Sequence, residues 1–235
     1  MPNLTARVID TAPHGAKWFT QGIYQEQNQQ QTIFYISSGL YGQSLLIRQG
    51  PRRQQVRSLP GHYFAEGLTV IGNRIFLLTW KAETLLVFDK HTLAPLAQFS
   101  YQGEGWGLTH NKEHLIMSNG SSQLQFRDPG NFRLHKSLEV QGLNRLNELE
   151  YAQGVIWANR WYDDAIYAID ASNGCILAKL DLTALRQRAV TPNYQNIANG
   201  IAYDPTRNGL WVTGKYWPVR FLIEYPLLTR EHCTP

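Results

Sequence analysis

Glu66 stands in the stretch Tyr63-Phe64-Ala65-Glu66-Gly67-Leu68-Thr69, directly ahead of a Gly-Leu step. Comparable steps recur along the chain, and the residues at the matching position are Gln21, Glu66, Trp106, Asn147 and Asn199. In the fourth copy Glu148 takes the place of the glycine. Glu66 is the one acid of the five. A carboxyl group whose surroundings lift its pKa toward neutrality serves as a general acid or base, typically worth ~10² to 10⁴ in rate. The amides of Gln21, Asn147 and Asn199 both donate and accept hydrogen bonds, which suits a substrate that itself carries an amide. Lys215 can counter a carboxylate or hold developing negative charge. Phe19, Phe64, Trp80, Trp106 and Trp161 offer aromatic faces that enclose an apolar group or attract an ammonium. Structural roles compete at each position: tryptophans wedge between sheets, asparagines satisfy strand ends, and a channel glutamate can hold a water or an ion. Glu104 and Glu150 lie off the repeated position and are weaker candidates.

The spacing of the five copies, 40 to 52 residues, calls for a repeat architecture. Each copy opens a short strand and is followed by a second, such as Ile75–Trp80 or Val155–Asn159, and a third, such as Leu85–Asp89 or Ile166–Asp170. These segments are rich in the β-branched, aliphatic and aromatic residues that fit a pleated surface. Fourth strands follow the first four copies, at Gln55–Leu59, Pro95–Tyr101, Lys136–Val140 and Ile176–Leu180. The fifth copy reaches the C-terminus without one. Four strands repeated five times predict an all-β, five-bladed β-propeller. The alternating segment Thr5–Asp10 would close the ring by completing the last blade, which also removes an exposed edge. In such a ring the repeated residues gather at one mouth of the channel. Trp80, Asn119, Trp161 and Lys215, at or just past second-strand ends, are expected there too, and Trp157 and Trp211 in the core.

The 235 residues form a single propeller domain on this reading, and 43% hydrophobic content is ample for its core. A net charge of +4 is mild, and the cluster Arg48, Arg52, Arg53 and Arg57 reads as a solvated hairpin tip, so no nucleic-acid partner is expected. No segment approaches the ~18 apolar residues of a membrane span. Cys175 and Cys233 match no metal or redox spacing, and a disulfide framework is not expected. His110 and His114 have the i, i+4 spacing of a helical zinc site, but a turn at the opposite mouth is the better reading. No phosphate loop, dinucleotide fingerprint or nucleophile elbow occurs, so neither metal nor cofactor is predicted. A closed ring needs no second copy, which predicts a monomer.

Taken in order, Phe19-Thr20-Gln21-Gly22, Gly39-Leu40-Tyr41-Gly42-Gln43-Ser44, Phe64-Ala65-Glu66-Gly67-Leu68-Thr69, Leu78-Thr79-Trp80, Glu104-Gly105-Trp106-Gly107-Leu108-Thr109, Asn147-Glu148-Leu149-Glu150-Tyr151, Asn199-Gly200-Ile201-Ala202-Tyr203-Asp204 and Thr213-Gly214-Lys215-Tyr216-Trp217-Pro218 resemble the plant and bacterial glutaminyl-peptide cyclotransferases. The resemblance runs from about residue 15 to the C-terminus. It implies a five-bladed propeller that converts the N-terminal glutamine of peptides or proteins to pyroglutamate with release of ammonia. It implies Glu66 as the central catalytic residue, with Phe19, Gln21, Phe64, Trp80, Trp106, Asn147, Trp161 and Lys215 at active-site positions. It also favours export, to the periplasm or outside the cell, if a leader has been removed. A metal-dependent, lactonase-like hydrolase and a non-catalytic binding propeller remain the alternatives. The Gln25–Gln31 hairpin reads as a variable surface turn. The connector Leu182–Ala198 should cross the catalytic mouth as a short helix and a turn, with Arg186, Arg188, Tyr194 and Gln195 placed to touch substrate.

Overall fold

Each repeat folds into an antiparallel sheet whose strands follow one another outward from a common axis. The computed structural model describes residues 1–27, 31–230 and 233, so the turn of the Gln25–Gln31 hairpin and His232 lie outside the described residues. The innermost strands of the five blades are Thr20–Gln27, Ala65–Ile71, Leu108–His110, Leu146–Ala152 and Ala198–Asp204. The second strands are Thr32–Ser38, Arg74–Thr79, Leu115–Ser118, Val155–Arg160 and Gly209–Gly214, and the third are Leu45–Gln49, Thr84–Asp89, Gln123–Arg127, Ala165–Asp170 and Val219–Glu224. Outer strands of the first four blades are Gln54–Ser58, Pro95–Ser100, Leu134–Glu139 and Ile176–Asp181.

The N-terminus closes the ring by completing blade five, as expected, with a strand that begins three residues later. Val8–Pro13, not Thr5–Asp10, forms the outer strand of blade five, antiparallel to Val219–Glu224 with Thr11 opposite Phe221. Residues ahead of it turn to the neighbouring blade. There Asn3–Thr5 pairs in parallel with Ile176–Asp181, Leu4 opposite Leu180, as a fifth strand of blade four. Leu4, Ala6 and Val8 pack on the apolar cluster between blades four and five. One segment thus covers two sheet edges.

The cores lie between blades. Leu46, Leu68, Leu77 and Phe88 fill the space between blades one and two, while Phe76, Leu108, Met117 and Phe132 do so between two and three. Trp157, buried completely, packs between blades four and five, and Trp211 between five and one. The acids that end third strands serve turns. Asp89 Oδ1 accepts the N–H groups of His91 and Thr92, and Asp128 Oδ1 those of Gly130 and Asn131, the local carboxylate turn that launches the outer strand.

Cys175 and Cys233 form a disulfide, against the expectation from their spacing. They are 58 residues apart in sequence, yet their Cα atoms stand 5.8 Å apart. The chain after Glu224 folds back over blade four, where Tyr225 packs edge-on to Trp157 and Arg230 pairs with Asp170 at 3.1 Å. Such a pairing is set by the tertiary path, which local cysteine motifs do not report.

Two acids of blade four cross the channel. Glu148 accepts the N–H of Ile23 on blade one at 3.3 Å and of Ile201 on blade five at 2.8 Å. Glu150 accepts from Tyr203 N–H at 2.9 Å and from the Thr109 hydroxyl at 3.3 Å. Burial pushes the Glu150 carboxyl up to about 8, against the pull of these hydrogen bonds. The folded protein therefore keeps this proton in a range where the unfolded chain, with a carboxylate pKa of ~4.3, has lost it. The folded state binds more protons there, so stability falls as pH rises between those values. Glu150→Gln retains an acceptor for Tyr203 and supplies a donor for Thr109. Its melting temperature should decline less steeply than the parent's between pH 5 and 8, by ~2–4 °C for each kcal/mol recovered. Parallel declines in thermal melts would show that Glu150 ionises freely in the fold.

Candidate active site

The inner strands are irregular where the repeated residues sit. Thr20 pairs with Ser38 but Gly22 with Ser37, and Ala65 pairs with Thr79 but Leu68 with Leu77. The same slip falls between Leu146 and Leu149 and between Ala198 and Ile201. A bulge bends its strand and re-aims a side chain, and here it aims Gln21, Glu66 and Asn147 at one end of the channel. In blade three the chain enters later: Trp106 bonds the carbonyl of Ser118 before the strand begins at Leu108. The glycine that follows allows the strands to meet. A Cβ on Gly67 would lie 2.4 Å from Leu108 N, and one on Gly107 would lie 2.0 Å from Asn147 O.

At this mouth is a cavity of about 360 Å³. Its lining includes nine of the ten residues singled out from sequence: Phe19, Gln21, Phe64, Glu66, Trp80, Trp106, Asn147, Trp161 and Lys215. Asn199 is the exception. It is fully buried behind the wall, where its Nδ2–H donates to Gln21 Oε1 at 2.9 Å and to Thr20 O at 3.0 Å. Gln21 in turn donates from Nε2 to Glu66 Oε1 at 2.9 Å. Asn199 therefore fixes the amide orientation of Gln21 and stands outside the cavity lining. Asn119, also expected at the mouth, instead accepts from Ser121 N–H and Oγ–H in a turn.

Glu66 is 5% exposed. Burial raises its pKa well above the carboxylate range, and the charge of Glu104 adds to this, while Lys215 and the Gln21 hydrogen bond pull it down. Lys215 is pushed down to about 8 by burial, with Glu66 opposing. The two form no direct ion pair, and Lys215 Nζ sits 4.3 Å from the Phe19 ring centre. Tyr101 is a further titratable group near Glu66, and its hydroxyl donates to Thr79 O. The indoles of Trp80 and Trp106 both donate Nε1–H to Glu104 Oε2, at 2.7 and 2.9 Å.

Leu40, Tyr162, Ile197 and Tyr216 complete the wall without having been singled out. Leu40, Tyr162 and Tyr216 have φ of 99°, 61° and 62°, a conformation that side chains rarely adopt and that collects at functional sites. Tyr162 and Tyr216 follow Trp161 and Lys215 directly, so a reading extended by one residue past those strand ends would have found them. The connector forms a helix at Thr183–Ala189 and then brings Tyr194 and Gln195 to the pocket. Arg186 and Arg188 do not reach it. Arg186 pairs with Asp164 at 2.8 Å, and Arg188 lies over Phe221. The two-histidine segment holds no helix: His110 contacts the Thr69 hydroxyl at 2.8 Å and His114 stacks on His135. Among the described residues no group of three or more His, Cys, Asp or Glu is placed to hold a metal ion.

The site is thus a five-bladed ring with a buried carboxyl at one mouth, faced by amides and enclosed by aromatic rings. Residues 1–225 match the family described as glutamine cyclotransferase. A curated glutaminyl-peptide cyclotransferase from Arabidopsis thaliana is 34% identical over 227 residues, covering 92% of this chain and 70% of the relative. The chain belongs to the glutamine cyclotransferase family. A crystal structure of Myxococcus xanthus glutaminyl cyclase superposes with a TM-score of 0.84 at 31% identity, over 95% of this chain and 98% of that one. A gluconolactonase from Xanthomonas campestris superposes with a TM-score of 0.60 at 14% identity, over 93% of this chain and 90% of that one, a likeness of fold alone.

Proposed function

We propose that this chain carries out its family's glutaminyl-peptide cyclotransferase reaction in the pocket described above, with Glu66 as the proton carrier. The observation that carries the reading is a single buried acid, raised in pKa and aimed into an aromatic cavity beside amide groups. The substrate holds both reacting groups, so the pocket's first task is to fold the glutamine side chain back on its own amine. The neutral α-amine attacks the side-chain amide carbon, and the carbonyl electron pair moves to oxygen. Glu66 takes the proton that the attacking nitrogen sheds and returns it to the amide nitrogen. The carbonyl re-forms as that C–N bond breaks, leaving the lactam and ammonia.

With the Trp80 and Trp106 N–H groups bound to Glu104, the donors available for the oxyanion are Asn147, Lys215, the Trp161 indole and the second N–H of the Gln21 amide. Phe19, Phe64, Trp80, Trp106 and Trp161 pack the methylenes and keep out the water that would hydrolyse the amide to glutamate. The substrates are peptides or proteins with an N-terminal glutamine, and the chain acts as a monomer. The Cys175–Cys233 disulfide supports folding in an oxidising compartment, in line with export.

Glu66→Gln should keep the fold and lower turnover of a glutaminyl dipeptide, read as ammonia release, by at least ~10². Turnover near the parent's would remove Glu66 as proton carrier. Lys215→Met removes the positive charge that holds the Glu66 pKa down, so the acid limb of the kcat/KM profile should move to higher pH, with a loss of ~10² in rate if Lys215 also serves the oxyanion. An acid limb that stays in place would separate Lys215 from Glu66. Tyr194, 73% exposed at the rim, is placed to meet the peptide beyond its first residue. Tyr194→Ala should reduce kcat/KM for glutaminyl tetrapeptides more than for glutamine amide, and equal reductions would assign the connector to scaffolding.

A further inference from the structure

The aromatic wall consists of two runs of rings. One passes from Tyr216 through Phe19 and Phe64 to Trp80, with ring centres 5.4, 6.1 and 5.5 Å apart. The other passes from Trp106 through Trp161 to Tyr162, at 5.5 and 4.6 Å. Trp80 and Trp106 end the two runs without a ring contact between them, and one atom spans the gap. Glu104 Oε2 accepts both indole N–H groups. Its other oxygen, Oε1, faces Lys81 Nζ at 3.7 Å, and that ammonium lies 4.1 Å from the Trp80 ring centre.

Local sequence explains how an acid comes to this place. Gly103 has φ of 85°, and the Gly105 N–H donates to Trp80 O at 2.9 Å, folding the segment across the end of the second strand of blade two. A Cβ on Gly105 would lie 2.2 Å from the Tyr101 hydroxyl oxygen. These backbone contacts already close the segment, so the Glu104 side chain is not needed to hold it. An ionised acceptor makes each indole bond shorter and stronger than a neutral one would.

We propose that Glu104 is a positioning residue of the cyclisation: by taking both indole N–H groups on one oxygen it locks the two tryptophan planes and sets the width of the slot in which glutamine folds on its own amine. The proposal rests on the glutamine reading of the pocket. Glu104 has a second effect through charge, since it raises the proton affinity of Glu66 while Lys215 lowers it. Gln21 and Tyr101 are the other groups facing Glu66.

Two variants separate shape from charge. Glu104→Leu leaves both indoles without an acceptor; kcat/KM on a glutaminyl dipeptide should fall by about 10², chiefly in kcat, as misplacement costs predict. The Nε1–H resonances of the two indoles, assigned with Trp80→Phe and Trp106→Phe, should move upfield together. Glu104→Gln keeps an acceptor oxygen and loses the charge; it should recover kcat/KM to within about 10-fold of the parent and shift the acid limb to lower pH. A folded Glu104→Leu protein with parental kcat/KM and unmoved indole resonances would overturn the proposal. If that variant does not fold, the indole resonances of Glu104→Gln decide: an upfield move of both supports the bridge, now on a weaker, neutral acceptor, and unmoved resonances overturn it. A parent enzyme that released no ammonia from glutaminyl peptides would sink the pocket reading instead, and the indole resonances would still report on the bridge.

Discussion

Five strands cannot meet at one axis with a side chain at every position. The step after the repeated residue is where neighbouring backbones touch, as in the 2.6 Å hydrogen bond from Gly67 N–H to Trp106 O. Glycine there is a steric requirement. The slip in pairing that accompanies the close approach turns the preceding side chain out of the sheet and into the mouth. The site is thus a by-product of closing the ring: the same bulge that lets blades pack delivers Gln21, Glu66 and Asn147 to one cavity. Blade four departs at Glu148, whose carboxyl reaches two other inner strands and ties blade four to blades one and five.

Three buried acids near the axis differ in what holds them and in whether they border the cavity. Burial raises the pKa of Glu66, Glu148 and Glu150 alike. Glu148 is held by backbone N–H groups from two blades, and Glu150 by one backbone group and a hydroxyl. Neither borders the cavity. Glu66 is held by a single side-chain amide, faces the cavity, and lies between charges of opposite sign on Lys215 and Glu104. A shifted pKa alone would have named all three; access and adjustable neighbours single out one.

Much of this was legible in the sequence, for reasons that also explain the rest. The repeat period and the strand compositions are local, so blades, strand order and the convergence of nine lining residues followed from them. Asn199 lies outside the cavity lining, because a position shared by five copies does not tell which copy faces the cavity; blade five puts its amide behind Gln21. The disulfide and the pairing of Asn3–Thr5 with blade four depend on where the two termini run after the ring has closed. Periodicity is silent there. The bridge between the two indoles was not legible, because Glu104, two residues from the repeated position, reaches two strand ends at once.

A ring of this kind suits a reaction in which one molecule supplies both nucleophile and electrophile. No second substrate has to be admitted, so the catalyst gains most from a fixed slot and little from a closing domain. Inter-blade cores fix the slot from below and the ring-to-ring contacts fix its walls. The remaining freedom lies at the rim, where the connector after blade four supplies Tyr194 and Gln195. Its helix is anchored from the outside, Arg186 holding Asp164 and the carbonyl of Asn193. The connector can therefore vary without disturbing the bulges in blades one, two, four and five that shape the mouth, because Tyr194 and Gln195 and the residues around Glu66 belong to different parts of the fold.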